Sequence, residues 1–519
     1  MLGACIALAG LTSCEKYLDV RPKSQIPASL HFDRESGYDD QLIGVYTKMA
    51  LPELYGRELT FGLMEVLGQN YDLNPNNTYR FATEYDYLNN AVRPRIDEIW
   101  NNMYSCIANL NIMLEYIEDT DPAIFRDDNR RLYKGEALGL RAFLHLDLLR
   151  IFSPSPAANS GAMAIPYVVE YAPKITPQRT VAQTIDLIID DLEEAIILMS
   201  NDPWHVADIN DKFRHRSTRG SRFNYYAVAA TLARAYHWKG DNINALRYAE
   251  IIIRQALQGT TPHSAFIFQT DDLLNSSADH ELSRQFTLEQ VFHLNVNQMQ
   301  DVVNPFFTGE AGNDLLTMSQ AKQDEIFEID LQYGNDYRRL NAFTVLGTGE
   351  IGITKFLQTF GGRTARDAGR LPVIRMTEAF YIAAEILKDG GAPLMLPRTV
   401  WDTTWVTNSQ GLDSMVGRAE RDTLYEFGPV RLLNNIRCGP EHVTYMRGGR
   451  NLNPFPLPET LTPEQIQQEI FKEYRKEFIA EGQLFFYYKR RNEPVVGAPM
   501  PAAFVLPMPD NEVDFGHRQ

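Results

Sequence analysis

Apolar residues recur at intervals of three and four positions over long stretches of this chain. Between 91 and 118 the recurring positions are Ile96, Ile99, Trp100, Met103, Ile107, Leu110 and Leu114. Residues 132–152 repeat the pattern and are followed by Ser153-Pro154-Ser155-Pro156, a sequence that stops a helix. This spacing is typical of amphipathic α-helices, each of which must bury one face against a partner. We predict that the two helices pack as an antiparallel hairpin.

Other segments also have helical spacing. The segment 178–200 begins at a Thr180 N-cap and would place Asp186, Asp190 and Asp191 on its outer side. Further helices are predicted at 221–257, which Gly240-Asp241 breaks into a second hairpin, at 372–388 and at 463–491. The patterns together predict an all-α fold.

The second hairpin has the residue spacing of a tetratricopeptide repeat, carried by Leu232, Ala233, Tyr236, Gly240 and Ala245. Small residues at these positions let two helices approach, and the glycine turns the chain. Asn242 stands where the repeat has an aromatic residue. We therefore predict a few degenerate repeats within about 91–257, not a regular solenoid.

Helical periodicity fades in two regions, 258–370 and 389–465. The second is rich in Gly, Pro, Asn and Trp, and loops of this length in a compact protein are usually functional. We expect a single domain over 41–519: a helix-hairpin scaffold with long irregular loop insertions, whose ligand side lies within about 258–465.

The first 13 residues, MLGACIALAGLTS, are uncharged and apolar, as in a secretory signal peptide. Leu11-Thr12-Ser13-Cys14 resembles a bacterial lipobox, in which the cysteine becomes a lipid anchor that holds the protein at a membrane. A basic stretch before the apolar run is missing, so we expect the sequence to start inside its signal peptide. Residues 14–40 would then form an anchor and tether. The alternative is a buried N-terminal helix with an incidental cysteine.

The formal net charge of −17 argues against nucleic acid as a partner, because such binding depends on Lys and Arg. No sequence motif for catalysis or metal binding is present, and we predict neither an enzyme nor a metal or cofactor site. The string Gly347-Thr348-Gly349-Glu350-Ile351-Gly352 fits a dinucleotide-binding pattern but lacks its strand and helix context, so a turn or hairpin is predicted. Cys106 and Cys438 could pair only if the fold brings them together.

Several segments, in the same order, resemble the SusD/RagB family of Bacteroidetes outer-membrane lipoproteins. They are 16–27, 32–49, 136–152 with Glu136, Arg141 and Ala142, the hairpin 221–257, 371–387 with Arg375 and Glu378, 470–490 with Arg475, Glu477, Glu481 and Gly482, and 504–513. The resemblance implies four tetratricopeptide-like helix pairs, a ligand surface built by loops, and a lid over a SusC-like TonB-dependent transporter at the cell outer membrane. We interpret Arg141, Arg375 and Glu378 as structural, since charges within apolar stripes persist when they pair with one another.

If the ligand is an oligosaccharide or polysaccharide, its site needs exposed aromatic rings beside hydrogen-bonding groups. The loop 68–90 offers this mixture through Asn70, Tyr71, Asp72, Tyr79, Arg80 and Tyr85, and the resemblance implies ligand contacts in the loop before the second long helix. The insertion 389–450 offers Trp401, Trp405 and Tyr445. In both places the alternative is structural: tyrosines that cap the bundle, and a small core that hides the tryptophans. Trp100 and Trp238 lie on helical stripes and are predicted core.

Four functions follow as hypotheses. The first is a surface glycan-binding subunit of an importer, and the second is the same subunit binding peptides. The third is a surface hydrolase, which would need a pair of carboxylates at a set distance. The fourth is a protein-interaction scaffold without a small ligand. The isolated soluble form is expected to be a monomer.

Overall fold

The structure is a computed structural model, and it describes most of the chain. The described residues are 27–206, 219–257, 266, 268, 284–308, 313–329, 336–347, 349–357, 359–360, 363–364, 369–388, 394–397, 405–407, 413–415, 424–427, 447–451, 461–494, 504–514 and 516. Cys14, Trp401, Cys438 and Tyr445 lie outside them.

The described chain is predominantly helical. Its helices are α1 (Ala28–His31), α2 (Glu35–Met49), α3 (Leu63–Leu67), α4 (Arg80–Thr83), α5 (Arg93–Asp119), α6 (Asn129–Phe152), α7 (Pro156–Asn159), α8 (Val181–Leu198), α9 (Pro203–Val206), α10 (Tyr225–Lys239), α11 (Asn242–Leu257), α12 (Met299–Phe307), α13 (Gln320–Phe327), α14 (Tyr337–Ala342), α15 (Thr377–Leu387), α16 (Pro463–Glu477), α17 (Leu484–Arg491) and α18 (Asp510–Asp514). The all-α prediction is confirmed.

Short strands connect these helices. They are β1 (Met163–Pro166), β2 (Gln178–Thr180), β3 (Gln290–Asn295), β4 (Thr317–Met318), β5 (Phe343–Val345), β6 (Ile351–Ile353), β7 (Thr359–Phe360), β8 (Arg363–Thr364), β9 (Arg370–Arg375), β10 (Leu394–Pro397), β11 (Trp405–Thr407), β12 (Asp413–Met415) and β13 (Leu424–Phe427). All their pairings are antiparallel: β1 with β2, β3 with β9, β4 and β5 with β6, β7 with β8, β10 with β13 and β11 with β12.

The scaffold is a series of packed helices: α2 against α5, α5 against α6, α6 against α8, and α8 against α10. Two glycines of α6 permit the close approach. A Cβ at Gly135 would lie 2.6 Å from Met199 Cγ, and one at Gly139 would lie 3.0 Å from the Phe223 ring. α8 begins at a capping box in which Thr180 and Gln183 satisfy each other's backbone N–H groups, as the sequence predicted for Thr180.

The tetratricopeptide-like hairpin is formed by α10 and α11. Leu232, Ala233 and Ala245 are fully buried between the helices. Gly240 turns the chain with a φ of +89°, which a side chain would strain. The predicted packing of this hairpin is confirmed.

The prediction of one helix over 372–388 is wrong at its start. Residues 370–375 form β9, which pairs with β3, and α15 begins only at Thr377. Leu371 and Ile374 of β9 are buried. A short apolar run that is buried on both faces can form either a strand or a helix. The spacing of its apolar residues therefore does not distinguish the two structures.

The segment 463–491 likewise contains two helices, α16 and α17. Ala480 and Gly482 in the turn between them have positive φ values of 63° and 68°. A Cβ at Gly482 would lie 2.7 Å from the carbonyl oxygens of Leu59 and Thr60, so a glycine is required there. The glycine-rich string at 347–352 lies in the β5–β6 hairpin, as predicted.

The folded part begins earlier than the predicted tether end at residue 40. α2 starts at Glu35, and Tyr38 is fully buried and donates a hydrogen bond to, or accepts one from, Thr120 at 2.6 Å. Within the described residues, no helix combines the length and apolar composition that crossing a bilayer requires. Cys106 is a buried free thiol whose pKa burial raises to about 12.

Arg141, Arg375 and Glu378 are paired with opposite charges, as predicted. Their partners, however, are other residues and not one another. Arg141 binds Asp191 through two hydrogen bonds of 2.7 and 2.8 Å, so Asp191 faces inward and the prediction that it lies on the outer side of α8 is wrong. Glu378 accepts two hydrogen bonds from Arg234, at 2.7 and 2.6 Å. Trp100 and Trp238 are in the core, as predicted.

Replacing Glu136 by Gln should flatten the acid limb of the stability profile. Glu136 is fully buried on α6 and accepts hydrogen bonds from Arg222 and Tyr46, at 2.9 and 2.5 Å. Burial opposes its ionisation, but Arg222 and Arg219 outweigh burial and lower its pKa.

Because the folded pKa lies below the unfolded one, this carboxylate contributes stability above about pH 4.3, the ordinary pKa of Glu, and loses it as the pH falls through the folded pKa. Urea unfolding between pH 6 and pH 3 should therefore show a smaller decline for Glu136→Gln than for the wild type. Equal declines in the two proteins would show that the ion pairs of Glu136 add nothing to acid sensitivity.

Candidate functional site

The loop between α3 and α5 is fastened to a second loop, residues 314–322, by hydrogen bonds. Asp72 N–H donates to Thr317 O at 2.8 Å, and Ser319 N–H donates to the Asp72 carboxylate at 2.8 Å. Lys322 Nζ reaches the same carboxylate at 3.0 Å, and Thr78 donates to Asp314. These contacts join the two loops, and we use the term loop face for their partly exposed residues Asp72, Arg80, Tyr85, Asp314 and Lys322.

Three of the residues predicted to bind a ligand are not exposed on this face. Asn70, Tyr71 and Tyr79 are buried. Their polar groups are already paired inside the protein: Asn70 Oδ1 accepts from Arg475 at 2.9 Å, Tyr71 donates to Glu65 at 2.6 Å and Tyr79 donates to Glu58 at 2.8 Å. These contacts contradict the prediction of an exposed platform built from the three side chains. Instead they hold the loop in place.

The role of Tyr71 follows from its partner. The Glu65 carboxylate also accepts the backbone N–H groups of Ala480 and Gly482, at 2.8 and 2.9 Å. Tyr71 thus completes a buried cluster that fixes the turn between α16 and α17 beneath the loop face. Burial raises the pKa of Glu65, and hydrogen bonds from Tyr71 and the two N–H groups oppose that rise.

Asp72, Arg80 and Tyr85 retain access to solvent. The Arg80 guanidinium lies 4.5 Å from the centre of the Phe81 ring and donates to Pro75 O at 3.1 Å. Tyr85 is half-buried, and its hydroxyl donates to Leu67 O at 3.2 Å, which holds the ring at the edge of the face. Burial raises the pKa of Tyr85 to about 12, so its hydroxyl stays protonated.

The Asp72 carboxylate remains charged over a wide pH range. Partial burial raises its pKa, but hydrogen bonds from Ser319 and Lys322 outweigh that effect and lower it. The loop face therefore carries an ionised carboxylate, a guanidinium, an ammonium and a tyrosine with a protonated hydroxyl. Such groups can accept from and donate to the hydroxyls of a sugar while a ring packs on its apolar side.

A groove with a volume of about 450 Å³ lies beside the N-terminal half of α5. Its lining residues are Trp100, Asn101, Tyr104, Pro166, Val168, Ala172, Pro173, Lys174, Ile175, Thr176 and Glu512. The size is within the range of small-molecule sites, and most of the lining is apolar. The loop that forms one wall also exposes Tyr171 and Ile175, at 58% and 60% of their surface.

This groove was not predicted from the sequence. A signal was present in the run Val168-Val169-Glu170-Tyr171-Ala172-Pro173-Lys174-Ile175, which places large apolar residues in a Pro-containing loop without a periodic pattern. Exposed apolar side chains that lie close together are typical of interaction surfaces. The Trp100 indole and the Tyr104 ring at its base belong to a helix that was correctly predicted.

Of the tryptophans in the insertion, Trp405 lies on β11, which pairs with β12, and Trp401 lies outside the described residues. Their role in binding therefore remains a prediction. Across the described ranges, no group of three or more His, Cys, Asp or Glu side chains is placed to hold a metal ion.

Comparison with known proteins gives a family match over part of the chain and a shared fold over nearly all of it. The model of the SusD-like family described as "Starch-binding associating with outer membrane" matches residues 16–237, which include most of the loop face. No curated protein matches the chain.

Solved structures share the fold over nearly the whole chain. A SusD superfamily protein from Bacteroides vulgatus is 19% identical, with 93% of this chain and 97% of that one covered and a TM-score of 0.65. A laminarin-binding SusD-like protein is 16% identical, with 93% and 97% covered and a TM-score of 0.58. Surface glycan-binding protein A from Bacteroides uniformis is 16% identical, with 93% and 98% covered and a TM-score of 0.59.

Residues 16–237 thus match the model of a SusD-like family, and the chain shares the fold of solved SusD-like structures over nearly its whole length.

Proposed function

We propose that this protein is a cell-surface glycan-binding subunit of an outer-membrane, TonB-dependent nutrient importer. The observation that carries the proposal is the match of residues 16–237 to a family described as starch-binding. The matched range includes Asp72, Arg80 and Tyr85, which leave polar groups and an aromatic ring accessible on one face. Among the neighbours in fold, one is described as laminarin-binding and another as glycan-binding.

In this proposal the loop face holds the sugar. Asp72 and Arg80 hydrogen-bond its hydroxyls, and the Tyr85 ring packs against its apolar side. Trp405 is a further candidate contact from the insertion. The protein captures the oligosaccharide and passes it to a SusC-like barrel, and a lipid on Cys14 holds it at the outer membrane. It performs no catalysis and needs no cofactor.

A second candidate function is peptide binding by the same kind of importer subunit. The groove beside α5 favours it, because its walls are mainly apolar while Lys174 and Glu512 place opposite charges at its lining. A short peptide with an apolar side chain matches that combination better than a sugar does. In this case Tyr85 variants would bind normally.

Affinity electrophoresis of the soluble chain, beginning after Cys14, against a panel of polysaccharides and peptides tests the proposal. We expect retardation by at least one glycan. Replacing Arg80 or Tyr85 by Ala should weaken binding about tenfold or more, a loss of ~1.4 kcal/mol. The matched control is Tyr133→Phe, which removes a half-buried hydroxyl on α6, outside the loop face, and should leave the affinity unchanged. Binding to peptides alone would favour the second candidate, and no binding to either class would leave an interaction scaffold.

A further inference from the structure

The Arg475 side chain lies beneath the loop face and contacts both of the loops that form it. Arg475 belongs to α16 and is only 8% exposed. Its Nε donates to Asn70 Oδ1 at 2.9 Å, and its Nη1 donates to the Glu325 carboxylate at 2.8 Å. Asn70 precedes Tyr71 in the first loop, and Glu325 lies on α13, which continues the second loop. One guanidinium group therefore joins the two loops from inside the protein.

These two contacts lie close to the polar groups of the loop face. Asn70 stands two residues before Asp72 in the chain. Lys322 and Glu325 are three residues apart on α13, and residues at this spacing share one face of a helix. From that face Lys322 Nζ donates to the Asp72 carboxylate at 3.0 Å. Arg475 thus holds the chain on each side of the Asp72–Lys322 pair.

The aromatic side of the loop face has the same cation near it. Tyr488 of α17 is buried, and burial raises the pKa of its hydroxyl to about 12. The positive charge of Arg475 opposes this rise, and the nearby Tyr85 adds to it. Because such effects weaken with distance, Arg475 and Tyr85 both lie near the Tyr488 hydroxyl.

The bond to Asn70 is the more important of the two contacts. The Glu325 side chain is 61% exposed, and an exposed ion pair contributes little because water and salt screen it. Asn70 is 1% exposed, so water cannot readily replace the donor that Arg475 supplies. Arginine suits this position because its planar fork presents N–H groups in fixed directions, whereas a lysine ammonium is a single point charge.

We infer that Arg475 is a positioning residue of the glycan site, an inference that rests on the proposed function. Arg475 does not touch the sugar. It sets the position of the first loop against α13, and through them the separation of Asp72 from Lys322. Without the bond to Asn70 the two loops would shift against each other, and a site whose supporting contacts are lost binds its ligand more weakly. A side chain with a purely structural role would instead change stability and leave the affinity of the folded protein unchanged.

Hydrogen exchange of the soluble chain without any ligand tests the positioning directly. The N–H groups of Asp72 and Ser319 bond across the two loops, to Thr317 O and to the Asp72 carboxylate. In Arg475→Gln both should exchange about fivefold faster or more, because their bonds open more often. Unchanged exchange rates in this variant would overturn the inference.

Lys472→Gln is the matched control on the same helix. The Lys472 ammonium binds Glu328 and Glu469, at 2.9 and 2.7 Å, so this substitution also removes two ion pairs. Glu328 keeps a second partner in Lys476. The two loop N–H groups should therefore exchange at the wild-type rate. Exchange as fast as in Arg475→Gln would show a general loosening of the protein and contradict the inference.

Isothermal calorimetry tests the effect on binding, at a temperature at which every variant is folded. The probes are the polysaccharides of the electrophoresis panel, starch and laminarin among them. Arg475→Lys and Asn70→Ala should each weaken binding about tenfold, and the double variant should bind no more weakly than either alone, because both changes remove the same hydrogen bond. Arg475→Lys retains the positive charge, so a weaker affinity in this variant reports the lost bond and not a lost charge.

The outcomes separate this inference from the proposed function. Wild-type affinity in both single variants would overturn the inference and leave the proposed function standing, and so would losses that add in the double variant. A wild-type chain that binds no polysaccharide would overturn the proposed function, and the inference with it.

Discussion

Glu477→Gln should lower the free energy of unfolding by about 3–5 kcal/mol, the effect expected when one partner of a buried ionic group is removed. Glu477 ends α16 and is fully buried. Its carboxylate accepts from Arg375 at 2.7 Å, from Arg450 at 2.8 and 3.1 Å and from Arg338 at 3.1 Å. Three cations from separate parts of the chain therefore depend on this one side chain.

The same network explains the pKa shifts of the two buried carboxyl groups, Glu477 and Glu289. Burial opposes a charge on Glu477, but Arg450, Arg375 and Arg338 outweigh burial and hold its pKa well below the ordinary value. Glu289 shares Arg375 and Arg450, and burial together with the nearby Glu477 raises its pKa despite those two cations. Neutralising Glu477 would leave the remaining cations under-compensated in a site that excludes water.

Urea-induced unfolding monitored by circular dichroism measures the effect. The matched control is Glu464→Gln on the same helix, whose side chain is exposed and should change the free energy of unfolding by less than about 0.5 kcal/mol. A loss below about 1 kcal/mol in Glu477→Gln would contradict the role that we assign to the network.

Phe143→Ala should destabilise the scaffold by about 3–5 kcal/mol, as is usual when a fully buried aromatic side chain is removed. Phe143 lies on α6 without solvent exposure. Its ring centre is 5.5 Å from that of Tyr55, 5.4 Å from Phe223 and 6.3 Å from Phe292. The side chain thus joins the helical hairpins to the strand β3, and its loss would leave a cavity that the surrounding elements cannot close.

The free energies of unfolding of Phe143→Ala and Leu340→Ala, measured by chemical denaturation, are compared. The comparison distinguishes the loss of core packing from the general effect of shortening a side chain. Leu340 is 49% exposed on α14 and should cost little when shortened. Phe143→Leu retains most of the buried apolar surface and should lose less stability than Phe143→Ala. Equal losses in Phe143→Ala and Leu340→Ala would show that the aromatic cluster is not a centre of stability.

The helical scaffold was predictable where a helix has one covered face, as α5 and α8 do. The stripe on α5 and the Thr180 cap of α8 are local signals, and the fold preserves both. β9 was mistaken for helix because Leu371 and Ile374 belong to a short run that is covered on both sides. No local pattern distinguishes such a run from the first turn of a buried helix.

The candidate site was only partly predictable. The loop 68–90 was identified by its composition, but composition does not show which of its tyrosine side chains are buried. Tyr71 and Tyr79 turn inward because Glu65 and Glu58, themselves buried, need hydrogen-bond donors. The partners of Arg375 lie about a hundred residues away along the chain, in Glu477 and Glu481, so pairing of this kind appears only in the folded protein.

The central claim is that the loop face binds a glycan. A crystal structure of the soluble chain with the polysaccharide fragment that retards it in affinity electrophoresis tests this most directly. We predict sugar density against the Tyr85 ring, with hydroxyls within hydrogen-bond distance of Asp72 or Arg80. Density confined to the groove between Trp100 and Ile175, with the loop face empty, would contradict it.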